Sequence, residues 1–117
     1  MVIKIMPKGG KDMSGELIIK KETHENSTNV YLSGEVDIYT SKSFKEELNN
    51  IVDSTKQDLV IDFKDLNYID STGLGILVGA LKKVKQNNKE VYITNIKDNI
   101  KKLFIITGLD KLFIIKE

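Results

Sequence analysis

The residues that could do chemistry are concentrated at positions 70–79, which read Asp-Ser-Thr-Gly-Leu-Gly-Ile-Leu-Val-Gly. Residues 59–63 before this stretch are typical of a strand, and apolar residues after it recur at helical spacing. A strand therefore leads through a short loop into a helix. The side-chain oxygens of Asp70, Ser71 and Thr72 can accept hydrogen bonds from the first free N–H groups of that helix. An anion on Ser71 or Thr72 would meet the partial positive charge of the helix start.

The same stretch offers little to an enzyme. The spacing of Gly73, Gly75 and Gly79 is that of a dinucleotide-binding loop, but only about 40 residues follow, too few for the second half of such a fold. A P-loop would need a lysine followed by Ser or Thr, and Ser71 lacks the first glycine of a hydrolase elbow. The sequence predicts no catalytic residue, no metal site and no cofactor, and a nucleotide-binding domain remains an alternative.

Composition restricts the partners. The 117 residues include 18 basic and 17 acidic ones, so the net charge of +1 creates no field that would favour nucleic acid or a membrane surface. The chain has no cysteine, which excludes disulfides and thiolate metal sites. No apolar run approaches the roughly 20 residues that a membrane-spanning helix needs. We expect a cytoplasmic protein with no direct nucleic-acid partner and no membrane partner.

Alternating and helical patterns along the chain predict the order β-β-α-β-α-β-α. Strands are expected near residues 16–21, 30–38, 59–63 and 91–94, with residues 22–29 as a hairpin loop. Val30, Leu32, Val36 and Ile38 should share the buried face of the second strand. Helices should begin after Thr40 or Ser41, after the 70–72 junction, and after Asp98 or Asn99, the last of them ending near Gly108. Residues 112–115 are apolar enough to add a short strand or an extension.

This order predicts an α/β fold in one domain. The sheet should be mixed, with four to five strands, and the helices should pack mainly on one face because most strands alternate between apolar and polar residues. Residues 7–12 read Pro-Lys-Gly-Gly-Lys-Asp, which is typical of a linker. We therefore expect a flexible N-terminal tail over residues 1–13 and a folded domain over residues 14–117.

Three motifs, in the right order, resemble the STAS domain of bacterial anti-sigma factor antagonists. The family's Asp-Ser-Ser/Thr-Gly-Leu-Gly turn is matched by residues 70–75, and its Gly-Glu-hydrophobic-Asp element by residues 34–37. Its late Leu-Phe-x-x-x-Gly-Leu element is similar to Leu103-Phe104 followed by residues 107–109. The resemblance covers about residues 14 to 115 and implies the STAS fold.

The resemblance also implies a protein-binding switch rather than an enzyme. Members of the family bind an anti-sigma factor that is also a serine kinase, and so free the sigma factor. The kinase phosphorylates the serine directly after the motif aspartate, which is Ser71 here, and the phosphorylated form no longer binds. A separate serine phosphatase reverses the modification. A STAS interaction module in a different signalling or transport complex remains an alternative.

The resemblance and the local sequence together suggest roles for the residues around Ser71. The switch loop and the start of the helix comprise Asp70, Thr72, Gly73 and Gly75. Thr72 is a possible second phosphoacceptor, although we expect its hydroxyl mainly to bond backbone. The candidates for contact with the partner are Asp37, Glu35, Leu74 and Ile76. Asp37 is expected near Ser71 because it ends a strand beside the central one.

Overall fold

The structure, a computed structural model, describes residues 1–5 and 16–116. Six strands and three helices, with one short 3-10 turn at Leu109–Lys111, make up this part of the chain. In order they are β1 (Val2–Ile5), β2 (Leu17–Thr23), β3 (Ser27–Val36), α1 (Ser41–Asp53), β4 (Asp58–Ile69), α2 (Ser71–Gln86), β5 (Val91–Thr94), α3 (Asp98–Thr107) and β6 (Ile114–Lys116).

The strands form one sheet in the order β1-β2-β3-β4-β5-β6, which is also their order along the chain. The first three strands pair antiparallel, and β3 to β6 pair in parallel. Each parallel connection carries a helix. Because such crossovers are right-handed and all advance in the same direction across the sheet, the three helices lie on the same face. The predicted mixed sheet with helices on one face is confirmed, with six strands instead of four to five.

The core lies between that face and the helices. Alternate residues of the strands are buried there, among them Leu17, Val30, Leu32, Ile61 and Ile93. Phe104 of α3 joins Phe63 of β4 and Phe113 in edge-to-face ring contacts, with centroids 6.0 and 5.6 Å apart. The opposite face of the sheet carries half-buried or exposed side chains. The domain is therefore a two-layer α/β structure.

The hairpin between β2 and β3 is tighter than predicted. Both strands extend into the polar segment, so that Thr23 pairs with Thr28 and Glu22 pairs with Asn29. The Tyr31 hydroxyl donates to a Glu22 carboxylate oxygen at 3.0 Å. Cross-strand pairing therefore overrides a composition that is typical of a loop, and only residues 24–26 connect the strands.

Strand β4 is longer than the predicted residues 59–63. Its pairing with β3 shifts register between Tyr31 and Ser33 and again between Gly34 and Glu35. Each bulge moves the buried positions of β4 by one residue, which places Leu66 and Ile69 in the core. The alternation of apolar and polar residues that indicates a strand is interrupted at these bulges. The second half of β4 was therefore not predicted from the sequence.

The N-terminal prediction requires a correction. Residues 1–13 were expected to be a flexible tail, but Val2–Ile5 form β1, and the Met1 amino group donates to the Lys21 carbonyl at 3.0 Å. The pairing uses the edge of β2 that the hairpin leaves open. The expectation was therefore wrong for Val2–Ile5, and its remainder, residues 6–13, lies outside the described residues.

Two local expectations also need correction. Ile38 is 77% exposed, because β3 ends at Val36 and the chain turns away at Asp37. The N-cap of α3 is Lys97, with no side-chain capping bond, in place of Asp98 or Asn99. The predicted end of this helix is confirmed, since Gly108 closes it in the left-handed conformation with φ 77°.

Candidate functional site

The candidate site lies where the carboxyl ends of β3 and β4 meet. Val36 pairs with Ile69, and the Asp70 N–H donates to the Val36 carbonyl at 3.2 Å. The two strands then lead into α1 and α2. The loop that contains Asp37 is consequently placed beside the start of α2, where Ser71 lies.

Asp70 is the N-cap of α2, as the sequence predicted. Its Oδ1 accepts a hydrogen bond from the Gly73 N–H at 2.9 Å, and its carbonyl accepts the first helical bond from the Leu74 N–H at 3.0 Å. Its backbone is extended, as N-cap residues usually are. Asp70 therefore fixes the direction in which the helix leaves the strand.

Ser71 and Thr72 are the first two residues of α2, and both are exposed. Neither hydroxyl makes a hydrogen bond within residues 1–5 and 16–116. The expectation that Thr72 bonds backbone is therefore not met there. The first turn of α2 carries no acidic residue. A group added to the Ser71 hydroxyl would project to solvent at the positive end of the helix.

The two glycines assigned to this turn differ in what surrounds them. A Cβ on Gly73 would lie 2.6 Å from Ile69 Cγ1 and 2.7 Å from Val36 Cγ1, whereas a Cβ on Gly75 would meet nothing within 4 Å. Gly73 is therefore required for the close approach of α2 to the strand ends. Gly75 has no such packing role within the described structure.

Asp37 holds the neighbouring loop. Its Oδ1 accepts hydrogen bonds from the N–H groups of Tyr39 at 2.9 Å and of Thr40 at 3.1 Å. The buried Thr40 is the N-cap of α1, and its hydroxyl donates to the Glu35 carbonyl at 2.9 Å instead of capping the helix. Asp37 is 9% exposed. It offers a partner little surface and instead orders the loop that does face outward.

The other candidates for partner contact have unequal access to solvent. Glu35 and Ile76 are half-buried and retain exposed surface. Leu74 is 6% exposed and packs in the core with the buried side of α2. Leu74 therefore packs in the core and offers a partner almost no surface.

Three exposed apolar side chains surround this end of the sheet and were missed from the sequence. Ile38 and Tyr39 project from the β3–α1 loop and are 77% and 41% exposed, and Tyr68 near the end of β4 is 49% exposed. The available signal was an apolar pair directly after a strand, where turns usually carry polar residues. Ile38 was instead assigned to the core.

A groove of about 500 Å³ begins next to this loop. It runs between the N-terminal halves of α1 and α2, and we call it the α1–α2 groove. The α1 side contributes Ser41, Lys42, Lys45 and Asn49, and the α2 side contributes Thr72, Gly75, Ile76 and Gly79. At the opposite end of the same two helices, Lys83 pairs with Asp53 at 3.2 Å. The C-terminal ends of the two helices are therefore linked by an ion pair, and their N-terminal halves flank an open groove.

Two further features concern ligands and membranes. Among the described residues, no group of three or more His, Cys, Asp or Glu side chains is placed to hold a metal ion. None of the helices in residues 16–116 is both long and apolar enough to cross a membrane.

The fold and the sequence at the start of α2 agree with one protein family. A family model described as the STAS domain matches residues 19–117, and the chain belongs to the STAS domain family of anti-sigma factor antagonists. It is 39% identical over 101 residues to the anti-sigma-B factor antagonist of Staphylococcus aureus (strain NCTC 8325 / PS 47). That match covers 86% of this chain and 94% of the relative. The resemblance based on the three motifs is confirmed.

Solved structures agree on the fold. An anti-sigma factor antagonist from Mycobacterium paratuberculosis superposes with a TM-score of 0.75 and 27% identity, over 85% of this chain and 84% of that one. The phosphorylated form of SpoIIAA, a cell fate determinant of Bacillus, superposes with a TM-score of 0.65 and 17% identity, over 85% and 91% of the two chains. The second match shows the shared architecture.

Proposed function

We propose that this protein is an anti-sigma factor antagonist controlled by phosphorylation of Ser71. It binds an anti-sigma factor that is also a serine kinase, and binding frees the sigma factor. The kinase phosphorylates Ser71, the phosphorylated protein no longer binds, and a serine phosphatase restores it. The domain itself is a binding protein without catalytic residues. Support comes from membership of the family and from the name of the Staphylococcus aureus relative.

One observation carries the assignment of Ser71. Ser71 carries an exposed hydroxyl at the first position of a 16-residue helix, directly after Asp70, which hydrogen-bonds to the helix at Gly73 and to β3 at Val36. Such a hydroxyl is accessible to a kinase and held in a defined place. SpoIIAA, which shares the fold, occurs in a phosphorylated form.

The position also suits a modification that must leave the domain folded. Phosphate adds about −1.5 to −2 charges at pH 7, and a helix N-terminus favours such a group by a few tenths to about 1 kcal/mol. The effect must then fall on the interface. Bulk, desolvation and repulsion from carboxylates of the partner need to cost only about 2.8 kcal/mol to weaken binding a hundredfold.

The exposed apolar side chains at the same end of the sheet supply surface for that interface. Ile38, Tyr39 and Tyr68 are large and exposed, and Ile76 adds a half-buried apolar side chain on α2. Aromatic and aliphatic anchors of this kind contribute most of the energy in many interfaces. A phosphate on Ser71 would lie at the same end of the sheet.

The test is intact-mass analysis after incubation with the cognate anti-sigma kinase and ATP. The wild-type protein should gain one phosphate and lose its binding to the kinase, and Ser71→Ala should gain none and keep binding. Thr72→Ala is the matched control, because it removes the neighbouring hydroxyl and should still be phosphorylated. Phosphate retained by Ser71→Ala and lost by Thr72→Ala would reassign the acceptor. Binding without modification of any variant would favour an interaction module in another complex.

A further inference from the structure

We infer that the α1–α2 groove receives an acidic segment of the same partner that engages Ser71. This inference rests on the proposed function and adds the chemistry of recognition to it. The groove begins at Thr72, directly after Ser71, so one binding protein can cover the loop and the groove together.

The α2 side of the groove is unusually open. Gly75 and Gly79 are exposed, and a Cβ on either would meet nothing within 4 Å. Glycine is among the least favourable residues in a helix interior, and packing within the described structure does not require it at these positions. The absence of side chains instead lets another chain approach the helix backbone closely.

The α1 side supplies positive charge. Lys42 and Lys45 line the groove, and no carboxylate does. Within the described residues, neither lysine takes part in an ion pair or a hydrogen bond. Lys42 also lies in the first turn of α1, where the helix dipole disfavours a cation, and no acidic residue balances it in that turn. The wall of the groove is therefore complementary to carboxylates.

The occupant is a protein segment rather than a small ion. The groove extends along two turns of α2, from Thr72 to Gly79, and Ile76 gives it an apolar side chain. Such a surface fits a short helix or strand that carries carboxylates toward Lys42 and Lys45. An acidic occupant also explains the switch, because a phosphate on Ser71 would then face like charge in the partner.

The decisive experiment measures binding of the partner by calorimetry. Lys42→Glu/Lys45→Glu reverses the charge of the groove, and Lys82→Glu/Lys89→Glu makes the same change of net charge at exposed lysines outside it. We expect the first variant to lose at least about tenfold in affinity and the second to stay within about twofold. Added salt should weaken the wild-type complex more than the groove variant.

A second variant tests shape without changing charge. Gly79→Leu places a side chain in the groove, where a Cβ has free space and leucine is a better helix former than glycine, so the thermal midpoint should stay the same or rise while affinity for the partner falls. Circular dichroism checks the fold of each variant.

The outcomes separate the two proposals. Wild-type binding with unchanged affinity in both groove variants overturns the groove proposal and leaves the proposed function standing. Absence of binding by the wild type overturns both. Titration of ATP into the free protein tests a nucleotide as the occupant: saturable binding that Lys42→Glu/Lys45→Glu abolishes would overturn the assignment to a protein segment.

Discussion

The two sides of α2 use the same residue type for opposite purposes. Gly73 faces the strand ends, where a Cβ would come within 2.7 Å of both Ile69 and Val36. Gly75 and Gly79 face the α1–α2 groove, where a Cβ would touch nothing. One side of the helix therefore contains a glycine that the fold needs, and the other contains two that it does not. Packing of the domain therefore constrains one side of the helix and leaves the other side open.

The largest expected effect is on the packed side. Gly73→Val adds atoms where there is no room, and overpacking of this kind lowers the free energy of unfolding by about 1–3 kcal/mol. The small gain in helix propensity from glycine to valine does not offset this loss. We expect a loss near the upper end of that range in urea unfolding. Gly75→Val, the matched control in open space, should change stability by less than about 0.5 kcal/mol. Equal losses in the two variants would remove the distinction between the two sides.

The next largest effect concerns Asp70, the N-cap of α2. Asp70→Ala removes the acceptor for the Gly73 N–H and should cost about 1 kcal/mol, within the range of about 0.5–2 kcal/mol for such caps. Asp70→Asn should recover most of this loss, since asparagine caps equally well. The measurement is again urea unfolding. A full loss in the asparagine variant would indicate that the negative charge, and not the hydrogen bond, supports the helix.

The open side should respond in the opposite direction. Gly79→Ala replaces a flexible residue by the best helix former at a position with free space, so the free domain should gain about 0.5–1 kcal/mol. Thermal unfolding measures the gain. A loss of stability would reveal a packing role for Gly79 and would make the two sides of α2 alike.

The smallest effect lies on the far face of the sheet and serves as a reference. The Tyr31 hydroxyl holds the pKa of Glu22 below its ordinary value of 4.5, and Lys20 contributes in the same direction. A carboxyl with a lowered pKa stabilises the fold above its unfolded pKa, and this contribution is lost as the pH falls through the lowered folded pKa.

Tyr31→Phe should therefore raise the pKa of Glu22 toward 4.5. The pH range between the folded and unfolded pKa values, over which the stabilising contribution is lost, should become narrower. An NMR titration of the Glu22 carboxyl group measures the shift, with Tyr92→Phe as the control on the same face. Partner binding should not change in either variant. An unchanged Glu22 pKa in Tyr31→Phe would assign the effect to Lys20 instead.

What could be predicted from the sequence was mostly local. The cap by Asp70 joins residues three apart, and the end of α3 depends on Gly108 alone, so both follow from neighbouring residue types. The second half of β4 could not be predicted, because its bulges arise from pairing with β3. The strand β1 likewise depends on a partner more than ten residues away in sequence.

In the candidate site, too, the local features were predicted from the sequence and the features that depend on the fold were not. The position of Ser71 at a helix start was predicted from the sequence, and the structure places Asp37 in the adjoining loop. The burial of Leu74 and the exposure of Ile38 depend on where α2 and β3 end up in the fold. The α1–α2 groove combines residues about 30 positions apart. No periodic pattern within one helix reveals such a space.

The order of the strands has a consequence for how the chain folds. Every strand pairs with the strand that precedes or follows it in sequence, so no pairing requires a later part of the chain to insert between earlier ones. Each parallel pairing still closes a connection that contains a whole helix, so the expected folding rate is that of mixed α/β domains, between those of helical bundles and of all-β folds. On the ribosome, the antiparallel strands can pair first, and each later strand can then be added together with the helix that precedes it.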